Sequence, residues 1–160
     1  MATINGIKVG TTTITASYTD GGVTKTATAS ITVSAIAPTL SFTKTATDII
    51  YDGARKAIGT VSYNGDGQAY YLVIKATSQP STPAADATTG TGWVSVSNGG
   101  TVYATKSGVV SGAGTYWVFL KSTAITNGNY TAVNPKYGNN KEILKATGSF
   151  GTLTNPAAQT

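Results

Sequence analysis

Cysteine and histidine are absent from the chain. With them go disulfides, thiolate and imidazole metal sites, a cysteine nucleophile and a histidine general base. Acids are scarce: Asp20, Asp48, Asp52, Asp66, Asp86 and a single glutamate, Glu142. There is one arginine, Arg55, and charged residues make up only 11% of the chain, against roughly 25% in an average soluble protein. The planar arginine fork is what reads phosphate and guanine in pairs of hydrogen bonds, so one arginine offers little to a nucleic acid. A net charge of +5 does not alter this, because Lys8, Lys25, Lys44, Lys75, Lys106 and Lys121 stand singly and only Arg55 and Lys56 are adjacent. The sequence predicts no nucleic-acid partner and, at most, mild attraction to an acidic surface such as an anionic glycan or a cell envelope. No apolar run approaches the ~18–20 residues of a membrane span, so no membrane insertion is expected. Residues 1–6 show neither the charged leader nor the apolar core of a signal peptide.

What fills the chain instead is threonine, glycine and tyrosine, with 30, 19 and 9 copies. Branched and aromatic side chains suit a pleated, half-buried surface, and Gly, Asn and Ser supply turns. An all-β fold follows, an antiparallel β-sandwich preceded by a β-hairpin. The small-residue stretch Ser34 to Pro38 reads as a boundary. It divides residues 1–34 from residues 39–155, with 35–38 as linker and 156–160 as a flexible tail.

In the first segment, residues 11–18 and 24–33 alternate around the turn signal Asp20-Gly21-Gly22. One face carries Ile14, Ala16, Tyr18, Ala27, Ala29, Ile31 and Val33, and the other carries Thr26, Thr28, Ser30 and Thr32. Ile4, Ile7 and Val9 suggest a short strand before it. In the second segment the strand candidates are residues 40–44, 57–63, 69–76, 93–96, 101–106, 114–121 and 142–150. Asn64-Gly65-Asp66-Gly67 reads as a hairpin turn, residues 78–92 as a long loop, and Asn127 to Asn129 and Tyr137 to Asn140 as further turns. The run 115–121 is apolar on both faces and is expected at the centre of a sheet.

Candidate chemistry is thin. Asp48 and Asp52 flank Ile49-Ile50-Tyr51 and are the acids best placed to approach each other, but glycosidase chemistry needs a defined pair roughly 5–10 Å apart. Calcium wants several oxygens, and Asp48, Asp52 and Asp66 lack the spacing of a calcium loop. No cofactor, no metal and no catalytic residue is expected. Trp93, Tyr103, Tyr130 and Tyr137 sit near loop ends and are the best candidates to stack on a glycan, although the stronger reading of Trp93, Trp117 and Tyr116 is core of the sandwich.

Residues 9–18 followed by 26–33 resemble the C-terminal half of a bacterial Ig-like domain of the group 2 type. Tyr51-Asp52-Gly53, Tyr70-Tyr71-Leu72-Val73, Gly92-Trp93, residues 113–118 and Asn129-Tyr130-Thr131-Ala132-Val133 are similar to the repeat modules of surface proteins from gut bacteria. These resemblances imply an Ig-like sandwich serving as a spacer or adhesive module, without catalysis. A complete module of the first type is more than twice as long as residues 1–34, and so short a piece cannot bury a core of its own without disulfides or metals. The apolar face of Ile14, Ala16, Tyr18, Ala27, Ala29, Ile31 and Val33 must therefore pack on the second segment, join a neighbouring subunit's sheet or assemble as an oligomer; it is the candidate subunit contact, with a homo-oligomer or capsid and tail proteins as partners. Extracellular-type modules behind no export signal suggest a phage virion protein, a capsid decoration or tail component. The alternative is an excised module of a secreted cell-surface adhesin, with surface glycans as ligands.

Overall fold

A computed structural model describes residues 5–45, 49–51, 54–104, 112–126 and 128–146. The described residues are all-β, with no helix, and hence no helix long and apolar enough to cross a membrane. Ten strands form: β1 (Gly10–Asp20), β2 (Val23–Val33), β3 (Leu40–Lys44), β4 (Ile49–Tyr51), β5 (Ala57–Tyr63), β6 (Ala69–Lys75), β7 (Val94–Val96), β8 (Thr101–Tyr103), β9 (Gly114–Ser122) and β10 (Val133–Ala146). They make three sheets. β1 and β2 pair only with each other; β3-β5-β8 form a three-stranded sheet; β4-β10-β9-β6-β7 form a five-stranded sheet.

The two larger sheets face each other across a core that alternation in each strand supplies. Phe42, Ile58 and Val61 come from one sheet, and Tyr71, Val73, Tyr116, Val118 and Leu120 from the other. The intervening residues of β6 and β9 point the opposite way, yet Leu72, Trp117 and Phe119 among them are buried too. Leu72, Trp117 and Phe119 form a second cluster on the outer face of the five-stranded sheet, joined by Ile74, Ala87, Trp93 and Tyr137. The run 115–121 is apolar on both faces for this reason, and β9 is the central strand of its sheet.

Several expectations are corrected. Asn64-Gly65-Asp66-Gly67 does not close a hairpin: β5 and β6 lie in different sheets, so the turn crosses between layers. Its glycine chemistry reports a reversal of the chain, not the pairing partner. Tyr137 to Asn140 is not a turn but an irregularity inside β10, with register shifts against β9 and Asn139 at φ 63°. β4 was not foreseen; it pairs parallel with β10 through three residues, too short to show periodicity. Residues 5–9 form no strand. Within residues 35–38, Ile36 bridges Tyr130: its amide donates to the Asn129 carbonyl (3.0 Å), and its carbonyl accepts from the Thr131 amide (2.9 Å).

Burial also changes the acidity of three phenols. Desolvation raises the pKa of Tyr71, Tyr116 and Tyr137 above the ordinary 10.0, with the Tyr103 backbone and Arg55 opposing the shift at Tyr71. The fold favours the neutral phenol, so the unfolded chain releases these protons at a lower pH than the folded one. Their contribution to stability is complete below about pH 10 and declines as pH rises from there through the folded values. A spectrophotometric alkaline titration should show a group of tyrosines ionising late, together with unfolding. Titration of every tyrosine in one step near pH 10 would contradict these burials.

Candidate functional site

The arm formed by β1 and β2 is an unbroken ladder from Gly10–Val33 to Asp20–Val23, closed by Gly21 and Gly22 at φ 55° and 80°. Positive φ at both central residues is the two-residue turn that matches strand twist. Directly opposed residues share a face. One face pairs Ile14 with Ala29, Ala16 with Ala27 and Tyr18 with Lys25; the other pairs Thr11 with Thr32, Thr13 with Ser30, Thr15 with Thr28, Ser17 with Thr26 and Thr19 with Thr24. The second face is a hydroxyl ladder whose end rungs bond across the strands, at 3.1 Å for Thr11–Thr32 and 2.8 Å for Thr19–Thr24.

Neither face is covered by the described residues. Ile14, Ala16, Tyr18, Ala27 and Ala29 are exposed, Tyr18 at 68% and Val23 at 61%. Only Ile31 and Val33, at the base, are half-buried, where residues 5–8 fold against them. Among the described residues, both edges of the arm are also open. Monomeric proteins guard such edges with lysines, prolines or bulges. Here the only charges are Asp20 and Lys25 near the tip, and there is no proline and no register shift.

The arm is fixed at its base. Val9 donates to Asn129 Oδ1 (3.3 Å), the Asn129 amide donates to Asp66 Oδ2 (2.6 Å), and Ile36 is held as above. The Asp66 carboxylate thus serves the turn and the arm's footing. Asp48 and Asp52 lie outside the described residues, and no group of three metal-ligating side chains exists among the described residues.

Of the four glycan candidates, Trp93 and Tyr137 join the same outer cluster, while Tyr103 and Tyr130 lie on other elements. Tyr103 lies on the three-stranded sheet beneath Arg55, whose guanidinium is 3.4 Å from the ring centre. Tyr130 sits at the arm's footing. Tyr137 packs against Trp117 and Phe119, at centroid distances of 5.7 and 5.9 Å. Trp93 closes the 76–93 loop, donating its Nε1–H to the Ala84 carbonyl at 2.9 Å. Lys121 reaches the same place from β9: its ammonium donates to the Ala85 carbonyl and lies 4.8 Å from the Trp93 ring and 5.1 Å from the Tyr70 ring. Residues 93 and 121 are too far apart in sequence for any local pattern to connect them. The arrangement offers a stacking surface with a few polar groups beside the 76–93 loop, and a two-stranded β-ribbon at residues 10–33 that pairs with no other described strand. No family model, curated protein or solved structure matches the chain.

Proposed function

We propose that the protein is a non-catalytic structural and adhesive component, an Ig-like sandwich displayed on a virion surface, and that its arm joins it to further copies of itself. The observation that supports this is the bare, unguarded ribbon 10–33 standing beside a sandwich whose core is complete without it. A two-stranded ribbon of this kind is marginal in water alone. Strand addition satisfies its free amides and carbonyls, and identical edges are complementary by symmetry. The near absence of charge on the ribbon lowers the desolvation cost of such a contact.

Light scattering on the full chain and on a chain beginning at Pro38 tests the proposal. The full chain should be a defined oligomer and the shorter one a folded monomer. Ile14→Lys combined with Ala29→Lys should reduce the full chain to a monomer while its melting midpoint, set by the sandwich, shifts by no more than about 0.5 kcal/mol equivalent. A full chain that stays monomeric at high concentration overturns self-assembly. It would favour the alternative, a module of a secreted adhesin whose arm is covered by other strands of a longer protein.

A further inference from the structure

Beside the 76–93 loop lies an open cavity of about 430 Å³, whose lining includes Asp86, Thr88, Trp93 and Lys121. That size is within the range of small-ligand sites, roughly 300–1,000 Å³. Its walls are held in place before any ligand arrives. The Thr91 amide donates to the Val73 carbonyl (3.0 Å) and the Thr91 hydroxyl accepts from the Val73 amide (2.9 Å), tying the loop to β6. Trp93 is fixed through Ala84, and Lys121 through Ala85 and two rings. Asp86, in contrast, is exposed and makes no hydrogen bond or ion pair with the described residues.

The chemistry narrows the ligand. The half-buried indole presents an apolar surface to the cavity. The Asp86 carboxylate accepts hydrogen bonds only, and the Lys121 ammonium donates them only. A ligand with one apolar face and a rim of hydroxyls satisfies all three. Asp86 repels an anionic ligand, and Lys121 repels a cationic one. We propose that this cavity binds a neutral saccharide of one or two rings, its C–H face on Trp93, vicinal hydroxyls donating to Asp86 and a ring or hydroxyl oxygen accepting from Lys121. The inference deepens the adhesive half of the proposed function and is independent of the arm.

The two indole N–H signals of the full chain provide the test. Trp117, whose Nε1–H is bonded to the Ala76 carbonyl at 2.9 Å on the same sheet, serves as the internal reference. Titration with lactose, cellobiose, maltose and N,N′-diacetylchitobiose, each separately, should move the Trp93 signal with at least one sugar and leave Trp117 in place. Sialyllactose, an acidic trisaccharide, should bind more weakly than lactose. Asp86→Ala, at an exposed loop position, should weaken binding about tenfold, the cost of one charged hydrogen bond, without lowering the melting midpoint. An unmoved Trp93 signal with all four neutral sugars, stronger binding of sialyllactose, or undiminished binding by the Asp86 variant would each overturn the site. None of these results depends on whether the chain is an oligomer.

Discussion

Phe119→Ala should destabilise the sandwich by about 3–5 kcal/mol, a fall of about 10–20 °C in melting midpoint for a chain of this size. Phe119 is fully buried, but it does not lie between the two sheets. It stands on the outer face of the five-stranded sheet, with Leu72 and Trp117 beside it and Tyr137 against it. If that face were an ordinary solvent-facing surface, removing one side chain would cost less than about 1 kcal/mol. The expected loss is instead comparable to that of Leu120→Ala, which empties the inter-sheet core. Chemical denaturation of both variants checks this. A small effect at Phe119 beside a large one at Leu120 would show that the outer cluster contributes little.

Gly90→Ala should detach the loop from that cluster. Gly90 adopts φ +59°, and an added Cβ would lie 2.1 Å from the Val73 carbonyl oxygen. Left-handed strain alone costs about 1 kcal/mol for an L-residue. The obstructing atom belongs to the backbone of β6, buried within its sheet, so the loop must yield. We expect a total loss of about 2–3 kcal/mol and a red shift in tryptophan emission as Trp93 is released. Gly99→Ala is the matched control: φ is +74° and nothing lies within 4 Å of its added Cβ, so only the strain remains. Equal losses at the two positions would mean that the loop accommodates the methyl group.

These two sites also show where sequence reading succeeds and where it stops. The alternation in 11–18 and 24–33, with Asp20-Gly21-Gly22 between, defines β1, β2 and their shared apolar face because register follows from a period of two. β3 and β5 match their expected limits, and the doubly apolar run 115–121 marks the central strand. The outer cluster was hidden because Ala87 and Trp93 cover it from a loop with no periodicity. The cavity was only partly legible. Trp93 stands out in the sequence as an aromatic at the end of a loop, while Lys121 and Asp86 join it only through pairing of β6 with β9 and the course of the loop. Chemical type alone groups Tyr103 and Tyr130 with Trp93, and topology separates them, whereas Tyr137 joins the same outer cluster as Trp93.

The footing of the arm has a thermodynamic consequence. Asn129 receives Val9 on its side chain and Ile36 on its backbone, so the chain entering β1 and the chain leaving β2 are fastened to one loop. Asp66 in turn holds that loop to the turn between the layers. A ribbon attached by a single flexible joint would surrender much orientational freedom on meeting a neighbour, and that loss opposes association. Clamped at both ends, this ribbon has surrendered that freedom within the folded subunit. What remains to be lost on contact is chiefly the freedom of its exposed side chains, which are mostly threonine and alanine and have few rotamers to give up.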